Sequence, residues 1–120
     1  MSLWQHNEPN TGWQQQAVAF ARHHGLLHDP VTHALDLVSE VGEVAKEILL
    51  ATAYGEQSQP TFRPQLPAEL GDVMFSLLLL AEACDVDAGD ALEIALGKYA
   101  HRLAERGGAG SNDERGASEM

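Results

Sequence analysis

Two tetrapeptides of the chain carry the same arrangement of acids, Glu40-Val41-Gly42-Glu43 and Glu69-Leu70-Gly71-Asp72. Each sets two carboxylates three residues apart, and at about 100° per residue such positions are neighbours on one face of a helix. A pair so spaced can present both carboxylates to one point. Four carboxylates brought together repel one another and must be protonated or neutralised, and hard oxygen donors in that number suit Mg²⁺, with Mn²⁺ as the alternative. Each motif also places a glycine inside a helix, at a cost of about 1 kcal/mol relative to alanine. The same costly residue at the same place twice is expected to let two helix backbones approach closely, so that Glu40, Glu43, Glu69 and Asp72 converge between them.

The elements that must position these acids read as four helices, with none of the strict alternation of a half-buried strand, so the expected fold class is all-α, a four-helix bundle. The first helix is expected from about Gly12 to His24, with Thr11 and Gln14 as a capping box and Trp13, Ala17, Phe20 and Ala21 as its apolar stripe. Gly25 suits its stop. The second opens on Asp29 as N-cap with Pro30 in its first turn and runs to about Tyr54, ended by Gly55. From Gly55 to Leu66 the prolines, with Pro67, exclude regular structure, leaving a loop of unusual length. The third helix starts at Pro67 or Ala68 and ends near Cys84. Its run Leu77 to Leu80 is apolar all round, which places it at the centre of the bundle or in a subunit interface. The fourth takes Asp87 as N-cap, carries Asp90 in its first turn, then Leu92, Ala95, Leu96, Tyr99 and Leu103, until Gly107. Residues 1–10 are expected to be a flexible N-terminus, 11–107 one folded domain, and 108–120 a polar tail too poor in apolar groups to offset its ordering entropy.

The two acid pairs sit differently on their helices. On the second, Asp36, Glu40, Glu43 and Glu47 share a narrow arc away from the apolar stripe of Ala34, Leu37, Val38, Val41, Ala45 and Ile48, a pattern that a solvated face would share. On the third, Glu69 and Asp72 head a row that continues as Val73, Ser76, Leu80 and Ala83. Acids on so core-like a face need partners.

Composition narrows the partners. With 120 residues, 13.0 kDa and 44% apolar residues, the chain can build one core and not two. Seven Lys and Arg against 18 Asp and Glu give a net charge of -11, which repels a phosphate backbone and excludes nucleic-acid polymers and anionic membranes as partners. A small anionic ligand would need a local cation. No apolar run is longer than the five residues of Leu77 to Ala81, far short of the roughly 20 of a membrane span, and no basic-then-apolar leader is present, so the expected setting is cytoplasmic. The single Cys84 rules out a disulfide framework and is expected to be packed at the end of its helix. No Glu-x-x-His accompanies the histidines, which argues against a di-iron bundle, and His23, His24, His28 and His33 are expected on the surface or as caps.

The acids and the wording around them, S-E-V-G-E-V-A-K-E and E-L-G-D-V-M-F, resemble the all-α nucleoside triphosphate pyrophosphohydrolases of the MazG type. Their motif is E-x-x-E, a spacer, then E-x-x-D, which Glu40, Glu43, Glu69 and Asp72 match in order across a spacer from Val44 to Ala68. The resemblance runs from about Trp13 to Ser111 and takes in Lys98-Tyr99 and the G-G-A-G-S that follows the fourth helix. It implies Mg²⁺-dependent hydrolysis of an NTP or dNTP between the α- and β-phosphates, giving the monophosphate and pyrophosphate, as in the cleansing of nucleotide pools, with the four acids as metal ligands and catalytic groups. Such chemistry needs cations for the leaving pyrophosphate, and Lys46, Lys98 and Arg102 are the candidates. For the base, Trp13, Gln16 and Tyr54 offer stacking and an amide, with Gln14, Phe62 and Arg63 nearby in sequence or on the long loop. At one position the chain departs from the family pattern: Ser39 stands where members often carry a further acid. The metal count and the general base are therefore open, and Glu47, one turn beyond Glu43, is the candidate additional ligand. Within the same fold the alternative is a phosphoribosyl-ATP pyrophosphohydrolase, and outside it a non-catalytic helical interaction module. The expected assembly is a homodimer or homotetramer through the Leu-rich third helix.

Overall fold

The computed structural model describes residues 9–106, which form four helices and, among the described residues, no strand: α1 (Pro9–His23), α2 (Pro30–Ala51), α3 (Leu66–Ala83) and α4 (Ala88–Arg106). The expectations for residues 1–8 and for the tail from Gly107 onward lie outside the described residues. The N-terminal signals of two helices act as the sequence implies. Asp29 Oδ1 accepts the Thr32 N–H at 2.8 Å, and Asp87 Oδ1 accepts the Asp90 N–H at 2.8 Å. α1 differs, for it begins at Pro9 and Thr11 lies within it rather than capping it.

Three helices end in the same way. The N–H groups of Leu26, Tyr54 and Val86 reach back five residues to the carbonyls of Ala21, Leu49 and Ala81, with left-handed residues at Gly25, Ala53 and Asp85. That is the paired-bond terminus in which one left-handed residue lets two N–H groups satisfy the last free carbonyls. In α2 the left-handed residue is Ala53, not a glycine, and the Thr52 hydroxyl bonds to the Ile48 carbonyl at 3.0 Å. The helix therefore stops at Ala51, three residues before the end expected from Gly55.

α3 is the central element, as its all-round apolar surface implies: it packs against α1, α2 and α4. The hydrophobic core is Ala17, Val18 and Ala21 of α1 with Leu79 of α3, against which Leu27, Phe75 and Leu78 pack. Of the other helices α2 touches only α3, and its less exposed residues, besides Thr32, Ala34 and Leu50, are His33, Leu37, Glu40, Val44, Glu47 and Ala51. Their spacing of four and three in alternation is that of an interhelical seam. This corrects the reading of the helix wheel in part. Glu40 and Glu47 face α3 while Asp36 and Glu43 are exposed, and of the apolar stripe Ala34 and Leu37 are half-buried while Val38 and Val41 are 70% and 49% exposed. α4 buries no residue and is anchored chiefly by Gln14. The Gln14 amide donates to the Val86 carbonyl at 2.9 Å and to Glu82 Oε1 at 3.1 Å, and accepts from the Ala88 N–H at 2.7 Å.

Candidate functional site

Glu40 comes from the middle of α2, and Glu69 and Asp72 from the first two turns of α3. One carboxylate oxygen from each of the three lies within 4.8 Å of the others. Helix spacing puts Glu69 and Asp72 on one face, and the seam lays α2 across it with Glu40 half-buried. The Glu40 carboxyl is held above the ordinary value of 4.5, first by burial and then by the negative charges of Asp72, Glu69, Glu43 and Asp36. Every charge that acts on it is acidic. A half-buried cluster of like charges with hard oxygen donors is the arrangement that a divalent cation such as Mg²⁺ or Mn²⁺ relieves, so the residues fit the metal expected of them.

Three of the four motif acids thus meet. Glu43 is exposed, and it acts on Glu40 through its charge without joining the group of three. Glu47, the candidate additional ligand, also lies outside the group of three. Its side chain is buried and its Oε1 lies 3.3 Å from Arg63 Nε, an ion pair that ties the long loop to α2. That oxygen makes no hydrogen bond within the described structure, so the contact is electrostatic rather than aligned. The role expected of the two glycines is also corrected. A Cβ on Gly42 or Gly71 would meet nothing within 4 Å, because both lie off the seam that Glu40, Val44 and Glu47 make with α3.

Gly71 instead lines an apolar cavity of about 650 Å³ between α1 and α3. Trp13, Gln16 and Phe20 form its α1 side and Met74, Phe75 and Leu78 its α3 side. None of the converging acids lines this cavity. Trp13 and Gln16 line this cavity, whereas Tyr54 is 70% exposed in the left-handed turn after α2 and does not. Phe62 is exposed on the loop. Of the cations, Lys46 and Lys98 are exposed and Arg102 is half-buried. Lys98 Nζ and Arg102 Cζ both stand near the Tyr99 ring, 5.4 and 5.7 Å from its centroid.

Sequence reasoning missed Phe20, Met74, Phe75 and Leu78 as cavity walls. The signal for Phe75 was available, since it lies three residues beyond Asp72, on the same side of α3. It also missed the histidine at the head of the seam. His33 is 2% exposed, not a surface residue, and its Nε2 accepts the His28 N–H at 2.9 Å. Cys84, expected to be packed, is exposed, because the left-handed turn at Asp85 carries the chain away from the core.

Among the described residues no helix is long and apolar enough to cross a membrane. No curated protein and no solved structure matches the chain. The matched family segment runs from the cap of α2 to the end of α4, so it contains all the converging acids and leaves out α1, which builds half of the apolar cavity. With residues 29–106 matching it, the chain belongs to the MazG nucleotide pyrophosphohydrolase domain family.

Proposed function

We propose that the protein hydrolyses a nucleoside or deoxynucleoside triphosphate between the α- and β-phosphates, releasing the monophosphate and pyrophosphate, and so clears unwanted nucleotides from the pool. The observation that carries this reading is the meeting of Glu40, Glu69 and Asp72 across the α2–α3 seam, with no cation among the charges acting on Glu40. Those three residues, with Glu43 at their edge, would hold Mg²⁺ or Mn²⁺, which when bound supplies neutralisation of phosphate charge and a water of lowered pKa. The chain's own residues supply the rest. Trp13 and Phe75 offer ring faces to a base in the apolar cavity, and Gln16 offers it one amide. Low polarity in that cavity keeps water from the base side of the nucleotide. Lys46, Lys98 and Arg102 are the cations proposed for the departing pyrophosphate.

The working assembly in this reading is a homodimer or homotetramer. Its support is the outward face of α2, where Val31, Leu35 and Val38 are each about two-thirds exposed. Apolar faces of this extent on a small chain ordinarily meet a partner. The reaction is tested by following pyrophosphate and monophosphate from a panel of standard and modified NTPs and dNTPs, and from phosphoribosyl-ATP, with Mg²⁺ and with EDTA. Equimolar products that vanish with EDTA are expected. Release of orthophosphate, or metal-independent release, would overturn the proposal.

A further inference from the structure

The loop between α2 and α3 leads into the helical turn that carries Glu69, and on it stands a cation to which the reaction above gives no part, Arg63. The backbone is fixed on both sides of it. The Thr61 N–H donates to the Ala51 carbonyl at 2.8 Å, and the Arg63 carbonyl accepts the Leu66 N–H at 3.1 Å. The side chain is held by Glu47, whose Oε1 is 3.3 Å from Nε. Glu47 follows Glu40 by seven residues, close to two helical turns, so the two share one side of α2 about 10 Å apart along its axis. Arg63 therefore stands on the side of α2 where the acids converge. It is not among the charges that act on Glu40, so it leaves the acids to a metal ion.

The ion pair engages one edge of the guanidinium. Glu47 is buried and takes Nε, whereas the Arg63 side chain is 45% exposed and the N–H groups of both Nη atoms have no partner among the described residues. A buried carboxylate at Nε fixes the guanidinium plane and leaves for a ligand the fork that fits a phosphate with two parallel hydrogen bonds. A triphosphate held at its α-phosphate by the acids extends two P–O–P links beyond them, which brings its terminal phosphate toward a cation placed at that distance. In a chain of net charge -11 such a polyanion needs a local cation.

We propose that Arg63 binds the terminal phosphates of the triphosphate through its two Nη groups and that Glu47 is the positioning residue that holds the guanidinium for them. The assignment rests on the triphosphate reading above. It is tested by calorimetric binding, with Mg²⁺, of the α,β-methylene analogues of the standard NTPs and of the matching monophosphates. A bidentate contact between charged groups corresponds to about a ten- to hundredfold weaker binding of the triphosphate analogue by Arg63→Ala, with the monophosphate bound as by the wild type. Arg63→Lys keeps the charge without the fork and recovers part of the loss. Glu47→Gln weakens the triphosphate analogue alone, and by less than Arg63→Ala does. Added to Arg63→Ala it has no further effect, because what it positions is gone; that double variant also removes the buried charge that Arg63→Ala leaves unpaired. Arg22→Ala, which takes away a cation paired with Glu82 on α3, changes neither affinity and controls for net charge.

Unchanged binding of the triphosphate analogue in Arg63→Ala and in the double variant, or an equal loss for triphosphate and monophosphate in both, overturns the assignment. So does a loss in Arg22→Ala as large as that in Arg63→Ala. The expected binding pattern without hydrolysis of any triphosphate overturns the function proposed above and leaves this assignment standing. Failure of the wild type to bind any of the triphosphate analogues overturns both.

Discussion

Glu40 is the residue at which folding and function pull in opposite directions. Burial and four neighbouring acids raise its carboxyl above 4.5, so the metal-free fold favours the protonated form. The contribution of Glu40 to stability is fully present below that value and is lost as pH rises through its raised value in the fold. Glu40→Gln is accordingly expected to raise the melting temperature of the metal-free protein at pH 7, the gain disappearing in acid, and to abolish the rise that Mg²⁺ gives the wild type. A thermal-shift series over pH, with and without Mg²⁺, checks both. Gly71 gives a second expectation, since alanine there meets no atom yet projects into the apolar cavity. Gly71→Ala should stabilise α3 by about 0.5–1 kcal/mol while raising KM for the triphosphate, read by denaturant melts and initial rates. The four motif acids were legible in the sequence because their spacing is a helical period and their pairing repeats. That Glu43 stays apart from the other three was not, because it depends on how far α2 is rotated about its axis against α3.

At the scale of elements, one start and one end were misread by three residues, Pro9 of α1 and Ala51 of α2, and the other bounds were legible to within one or two. Asp29 and Asp87 cap as side chains that belong to their own local sequence, whereas the stop of α2 needed Ala53 and Tyr54 in left-handed conformations that their types do not announce. The inward face of α2 was misread for a physical reason. A helix wheel assigns the apolar side to the core, but here His33, Glu40 and Glu47 share the inward seam with Leu37, Val44 and Ala51, and Glu47 pairs there with Arg63. One buried amide, that of Gln14, joins the end of α3, the turn after it and the first residue of α4. Gln14→Ala removes three hydrogen bonds and leaves the Ala88 N–H without its partner, and should cost about 2–3 kcal/mol in a chemical denaturation experiment. Leu79→Ala, at the most buried leucine of α3, should cost about 2–5 kcal/mol in the same measurement.

For the whole molecule, the all-α architecture and the central place of α3 follow from four amphipathic or apolar periods without a competing strand pattern. The division of labour between family segment and N-terminal helix does not. Residues 29–106 carry the acids, while α1 closes the core and supplies Trp13 and Gln16 to the apolar cavity. The exposed apolar face of α2 makes the oligomer testable: Leu35→Glu with Val38→Glu should lower the mass measured by light scattering to that of one chain while the helical content is kept. An unchanged mass would mean that this face is not the interface. The central claim, that the converging acids serve attack on the α-phosphorus, is met most directly by hydrolysis in heavy-oxygen water with Mg²⁺, comparing the wild type with Glu69→Gln. The expected result is equimolar pyrophosphate and monophosphate, with the heavy oxygen carried by the monophosphate and the rate reduced about a hundredfold or more in the variant. Heavy oxygen in the pyrophosphate, no pyrophosphate at all, or an undiminished rate in Glu69→Gln would contradict it.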